Sequence, residues 1–124
     1  VTTRILLVDD EPNFGEVCAA YLGDAGHAVD VACSADDARA CLAMQEYDGV
    51  FLDLVLPGED GLSLLSYIRR RWPALPVIMV TAHDRDPRLP AALALGAGGL
   101  LVKPVEMSDL RALVEEGLLP RVPE

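Results

Sequence analysis

Five times along the chain, a short apolar run is followed by a segment whose apolar residues recur at spacings of three and four. The runs are Arg4–Val8 (RILLV), 28–32 (AVDVA), Val50–Asp53 (VFLD), Val77–Thr81 (VIMVT) and Leu100–Val102 (LLV). Most of them lack polar alternation, so both of their faces must be buried. A strand greasy on both sides belongs to a parallel sheet covered by helices, and the regular alternation predicts an α/β, doubly wound architecture.

The intervening segments carry helix signals. Pro12 opens the first helix, and Phe14, Val17, Cys18, Tyr21, Leu22 and Ala25 mark its expected inward face. Gly26 is placed to end it, because glycine enters the left-handed cap at little cost. Ser34 and Asp37 resemble a capping box at the start of a second helix over about 35–45. Leu64, Leu65, Ile68 and Trp72 share one face of a third helix, Gly61 to Trp72. A short Ala-rich helix near Pro90 is expected to stop at Gly96. A last helix uses Met107, Leu110, Val114 and Leu118. One domain over 1–124 is expected, with a core over about 4–118. Residues 119–124, within the tail LLPRVPE and its two prolines, would form an end or the start of a linker.

Composition narrows the function. A hydrophobic share of 52% rules out a disordered tail. A net charge of −10 disfavours a nucleic-acid surface, which needs a basic footprint, and suits metal cations or basic partners. Arg69-Arg70-Arg71 is read as a solvated helix end that also suits the helix dipole. No apolar run reaches the roughly 18–20 residues of a membrane span, and no signal peptide is read at the N-terminus. Cys18, Cys33 and Cys41 form no CxxC pair and are expected to be reduced thiols filling core space in a cytoplasmic protein. No ligand spacing supports a zinc site built from them with His27 or His83.

The polar residues fall at strand ends. Asp9 and Asp10 follow the first strand, Asp53 ends the third, Thr81 ends the fourth, and Lys103 follows the fifth, before Pro104. In open parallel sheets ligands bind outside the carboxyl ends of the strands, where the strand order reverses. In the common doubly wound order 2-1-3-4-5, which is a known pattern rather than one read from this sequence, that reversal lies between strands one and three and would bring Asp9, Asp10 and Asp53 together. Three clustered carboxylates require a cation or a proton. An all-oxygen ligand set favours a hard metal, and few protein ligands with open water positions favour Mg²⁺ over Ca²⁺. Lys103 adds an ammonium, Thr81 a hydroxyl, and Ala82 a backbone N–H that a small side chain leaves approachable. Together they describe a pocket for a phosphoryl group, with Asp53 as a carboxylate nucleophile. Taken singly, the same residues have ordinary structural uses: Asp10 could cap the helix at Pro12, and a lone Lys-Pro is often a turn.

With ILLVDDEP (5–12), FLDLVLPGEDG (51–61), LPVIMVTAH (75–83) and GAGGLLVKP (96–104) in this order, the chain strongly resembles the CheY-like receiver domain of bacterial two-component response regulators. The resemblance implies a flavodoxin-like (βα)5 fold with strand order 2-1-3-4-5. It implies that Asp53 is the phosphoacceptor, served by a sensor histidine kinase or phosphotransfer protein. It implies Mg²⁺, replaceable by Mn²⁺, held by Asp10, Asp53 and the backbone carbonyl of Val55, with Asp9 acting largely through water. Thr81 and Lys103 would contact the phosphoryl group, and the Lys103–Pro104 bond would be cis. The signal would leave through helix four, strand five and helix five, toward an output domain in cis or a second copy of the chain. No turnover of an outside metabolite is expected.

One position departs from the family. The aromatic residue usual three positions before the Lys-Pro lysine is Leu100, preceded by Gly98-Gly99. Leu100 is expected to stay packed whether or not Asp53 carries phosphate. Three other readings compete with this one. A haloacid-dehalogenase-like phosphatase would place its nucleophile on strand one in a DxD pattern, where this chain has DDE. A flavodoxin-like cofactor module would need a Ser/Thr/Gly-rich loop where Asp9-Asp10-Glu11 repels phosphate. A degenerate receiver acting only as an interaction module is opposed by the intact acidic set, while Leu100 keeps that reading open.

Overall fold

The structure, a computed structural model, describes residues 3–116. Leu118 and the tail 119–124 lie outside the described residues. Five strands, β1 (Arg4–Val8), β2 (Ala28–Ala32), β3 (Gly49–Asp53), β4 (Val77–Thr81) and β5 (Gly99–Val102), form one sheet. It is parallel throughout, in the order β2-β1-β3-β4-β5. The helices are α1 (Pro12–Asp24), α2 (Ala35–Met44), α3 (Gly61–Arg71), α4 (Leu89–Ala94) and α5 (Met107–Glu116).

Alternate side chains of the central strands feed two separate cores. Leu6, Val8, Val50, Leu52, Val77 and Met79 face α2, α3 and α4 and pack with Ala38, Leu64, Leu65, Ile68 and Ala92. Ile5, Leu7, Phe51, Ile78 and Val80 lie on the other face, with Cys18 and Leu22 of α1 and Leu110 and Val114 of α5. Leu64, Leu65 and Ile68 are fully buried, and each contributes about 1.5–3 kcal/mol by leaving water. The two-sided burial inferred from the strand sequences holds for β3 and β4, which are buried along their whole length. It fails at the edges. In β2 only Ala32 is buried, and β5 has no buried residue. An edge strand has a neighbour on one side only, so its helices cannot cover it fully.

The helix ends follow local chemistry. Ser34 accepts a hydrogen bond from the Asp37 N–H at 3.1 Å, and Asp60 caps α3 by accepting from Leu62 N–H at 2.9 Å. Gly26 and Gly96 take positive φ just past α1 and α4, as the sequence predicts. Glu11, not Asp10, stands at the cap position of α1, and no side chain caps that helix. The inward face of α1 is also narrower than its spacing suggests. Gly15, Cys18 and Leu22 are buried, whereas Val17 and Tyr21 are exposed. Gly15 sets this rotation: a Cβ there would lie 2.8 Å from Val31 Cγ1, so the bare backbone faces β2.

Three further expectations change. Cys33 is exposed rather than packed, and Cys41 is half-buried; only Cys18 is a core thiol. Burial pushes the Cys18 thiol up to about 11, so it stays protonated. Arg69 is more than a solvated helix end: it donates to the Pro73 carbonyl at 2.6 Å and to the Leu75 carbonyl, tying α3 to the turn before β4. After β3, where the sequence showed only an apolar run and a Pro-Gly turn, Val55–Leu56 pairs antiparallel with Glu59–Asp60. This ribbon turns at Gly58, whose φ is +73°, a conformation favouring glycine.

Candidate functional site

Every residue that the sequence placed at a strand end lies at the carboxyl edge of the sheet. The register pairs Val8 with Leu52, Asp53 with Val80, and Thr81 with Val102. The ends of β1, β3, β4 and β5 therefore open into one crevice. A cleft of about 250 Å³ there is lined by Asp10, Glu11, Asp53, Val55, Ala82, His83 and Lys103.

Asp9 and Asp53 are buried and Asp10 is exposed. Each offers a carboxylate oxygen within 4.8 Å of the others, the only such His/Cys/Asp/Glu group among the described residues. Lys103 Nζ lies 2.7 Å from Asp9 Oδ2, 2.5 Å from Glu11 Oε1 and 3.4 Å from Asp53 Oδ2. Its Nζ lies over the Phe14 ring, 4.8 Å from the centroid. The Lys103–Pro104 bond is cis.

The carboxylates of Asp9, Asp10, Glu11 and Asp53 meet a single ammonium, so their charge is only partly offset. Burial pushes the Asp53 carboxyl upward and Asp9 adds to this, while the Val55 N–H (3.0 Å) and Lys103 oppose it. For Lys103 burial is the largest single influence and acts downward. The carboxylates of Asp9, Glu11 and Asp53 together outweigh it and raise its pKa. The contact to Asp9 Oδ2 is ionic and lacks hydrogen-bond alignment. That buried oxygen has no hydrogen-bond partner, while Asp9 Oδ1 accepts from the Glu11 N–H at 2.9 Å. A buried carboxylate oxygen left without a hydrogen bond, beside two more carboxylates, is a donor set that fits a hard divalent cation.

Thr81 is buried, and its hydroxyl is locally engaged. It accepts from the His83 N–H at 3.1 Å and contacts the His83 carbonyl at 3.4 Å. Ala82 lies exposed at the cleft wall. Sequence reasoning missed Glu11, Phe14 and His83 as parts of this site. Glu11 was legible as the third carboxylate of DDE. Nothing in the spacing announces the Phe14 ring beneath a lysine 89 residues later.

A second polar cluster joins the loops around the cleft. Arg88, just before α4, forks onto Asp86 at 3.0 and 2.9 Å and reaches Asp60 Oδ1 at 3.3 Å. Arg88 in turn holds the Asp86 carboxyl down at about 2. Leu100 is exposed, not packed as expected. It sits on the edge strand β5, opposite Met79 in the register, so one of its flanks has no neighbouring strand.

The family model described as the response regulator receiver domain matches residues 5–115, and the chain belongs to that family. It is 38% identical over 124 residues to the transcriptional regulatory protein TcrA of Mycobacterium tuberculosis, covering 97% of this chain and 49% of TcrA. The chain thus spans about half the length of that relative. A CheY-like receiver domain protein from Methanospirillum hungatei JF-1 superposes with a TM-score of 0.90 at 28% identity, covering 95% of this chain and 94% of the other. The receiver domain of NtrX from Brucella abortus gives 0.84 at 36% identity, covering 92% and 97%. The five-stranded parallel order and the CheY-like neighbours together establish the flavodoxin-like fold.

Proposed function

We propose that this chain is a phosphorylation-activated switch in which Asp53 takes a phosphoryl group from a phosphohistidine on a sensor kinase or phosphotransfer protein in the cytoplasm. The observation that carries the proposal is the position of Asp53 at the end of β3, clustered with the carboxylates of Asp9 and Asp10 and with the Lys103 ammonium 3.4 Å away.

A carboxylate oxygen of Asp53 forms a bond to phosphorus as the bond from phosphorus to the donor nitrogen breaks, and the donor keeps that electron pair. Asp53 needs no general base, because an ionised carboxylate is already a nucleophile. Asp9, Asp10, Asp53 and the Val55 carbonyl would hold Mg²⁺, or Mn²⁺ in its place, which would neutralise charge on the phosphoryl oxygens. Lys103 stays protonated and pairs with a phosphoryl oxygen as its contacts to Glu11 loosen. Thr81 releases the His83 peptide to donate its hydroxyl to another oxygen, and the Ala82 N–H stands at the same wall. The movement at Thr81 then biases the loop and α4 that follow it.

No outside metabolite is turned over. The name of TcrA suggests that the output of such a chain is transcription, through a domain in cis or a dimer formed by α4, β5 and α5. The test is intact mass after acetyl phosphate or phosphoramidate with Mg²⁺. The wild type should gain one phosphate and Asp53→Asn none. Labelling that persists in Asp53→Asn would remove Asp53 from its role.

A further inference from the structure

The Arg88 cluster is not used by the chemistry above, yet it connects the two loops that flank the cleft. Arg88 sits at the boundary between the β4–α4 loop and α4. Its fork onto Asp86, and the Asp86 Oδ1 acceptance of the Arg88 N–H at 2.9 Å, fix the guanidinium relative to that loop. The remaining nitrogen, Nη1, crosses to the other loop. It lies 3.3 Å from Asp60 Oδ1 and makes a long 3.4 Å contact with the carbonyl of Leu54.

Both targets are tied to the phosphoacceptor. Leu54 follows Asp53 directly, is fully buried, and its carbonyl also accepts the Gly61 N–H at 3.0 Å. Asp60 ends the ribbon that begins at Val55, whose N–H is held by the Asp53 carboxylate. A cation just before α4 opposes the helix dipole, so dipole energetics do not account for its placement there. Thr81 is linked toward α4 through the His83 peptide that its hydroxyl holds, and Leu100 supplies no ring to report its movement. Arg88 is a direct side-chain bridge from the Asp53 loop to α4.

We propose that Arg88 is a positioning residue that latches α4 to the Asp53 loop through Asp60, holding the switch in its unphosphorylated arrangement. The proposal rests on Asp53 being the phosphoacceptor. The latch opens when the loop rearranges around the phosphoryl group, and its loss favours the activated state before any phosphate arrives. Partly exposed ion pairs are modest in strength, so the latch should bias the equilibrium by about two- to fivefold.

The decisive comparison uses Arg88→Ala, Asp60→Asn and the double variant. Asparagine caps a helix as well as aspartate does, so Asp60→Asn removes the charge pair and keeps the α3 cap. Beryllofluoride with Mg²⁺ serves as the phosphoryl mimic. Each single variant should bind it about two- to fivefold more tightly than the wild type. Each should also show faster hydrogen exchange in residues 89–95 without it. The double variant should do no more than either single one, whereas a generally loosened fold would give additive effects. Unchanged or weaker mimic binding in Arg88→Ala, or additive effects in the double variant, would overturn the latch. Labelling of Asp53 is read in parallel by intact mass. Absence of labelling in the wild type would defeat the phosphoacceptor assignment and the latch with it, whereas normal labelling with unaltered binding would defeat the latch alone.

Discussion

Lys103 and Asp9 form an ion pair within the site: the lysine ammonium lies 2.7 Å from a carboxylate oxygen that is buried and has no hydrogen bond. The lysine therefore neutralises a buried charge and also stands beside the phosphoacceptor. Lys103→Ala should leave Asp9 buried without its counter-ion and lower stability by about 3 kcal/mol, the low end for breaking a buried pair. A divalent cation would replace part of the missing charge. The thermal shift on adding Mg²⁺ should accordingly be larger in Lys103→Ala than in the wild type, and an equal or smaller shift would contradict this coupling.

Millimolar Mg²⁺ should raise the melting temperature of the wild type, because it binds the folded chain only. Asp10→Ala should abolish the shift. Asp10 is exposed, so its loss costs the fold little, and the variant reports the metal site. A melting point in the wild type that ignores Mg²⁺ would count against the acidic cluster as a cation site.

Asp53→Asn should raise the melting temperature of the metal-free protein at neutral pH. Burial first, and the Asp9 charge second, raise the Asp53 pKa in the folded state. A raised carboxyl pKa contributes stability that is present below the unfolded pKa and is lost as pH rises through the folded one. The advantage of asparagine should therefore be small in acid, grow as pH rises through the raised pKa, and then level off. Paired melts of the two proteins across that range check the sign.

Two glycine substitutions should differ sharply. A Cβ at Gly61 would lie 2.6 Å from the Asp53 carbonyl oxygen and 2.8 Å from Leu54 Cα, both backbone atoms that cannot step aside. Gly61→Ala should cost about 2–3 kcal/mol and slow Asp53 labelling by displacing the end of β3. At Gly15 the clash is with the side chain of Val31 on the edge strand, partly exposed and free to shift. Gly15→Ala should cost about 1 kcal/mol and leave labelling unchanged. Denaturant unfolding and the rate of mass gain separate the two.

Leu100→Tyr should alter the response to beryllofluoride only slightly, with exchange changing mainly over residues 82–99. Leu100 is already exposed on β5, so the ring would begin in an open position without displacing packed atoms. A large new response in Leu100→Tyr, with segment 82–99 silent in the wild type, would show that an aromatic residue is required for the switch.

The sequence by itself determined the five strand-helix units and the set of polar strand ends. Apolar runs such as VIMVT can only be buried, and Asp9, Asp10, Asp53, Thr81 and Lys103 each interrupt or end one. Local chemistry also sufficed for the Ser34 cap and the Gly26 and Gly96 stops, because those contacts lie within a few residues. Tertiary structure decided the rest. Whether Val17 or Gly15 faces inward depends on the distance of closest approach to Val31, and spacing along α1 alone does not contain that distance. Leu100 lies exposed because β5 is an edge, which is a property of strand order. Lys103 meets Asp9, Glu11 and Phe14, and Arg88 meets Asp60, across separations that no local pattern records. Such pairings form only when the sheet brings the carboxyl ends of its strands to one side. Their energies depend on burial, which the folded chain alone defines.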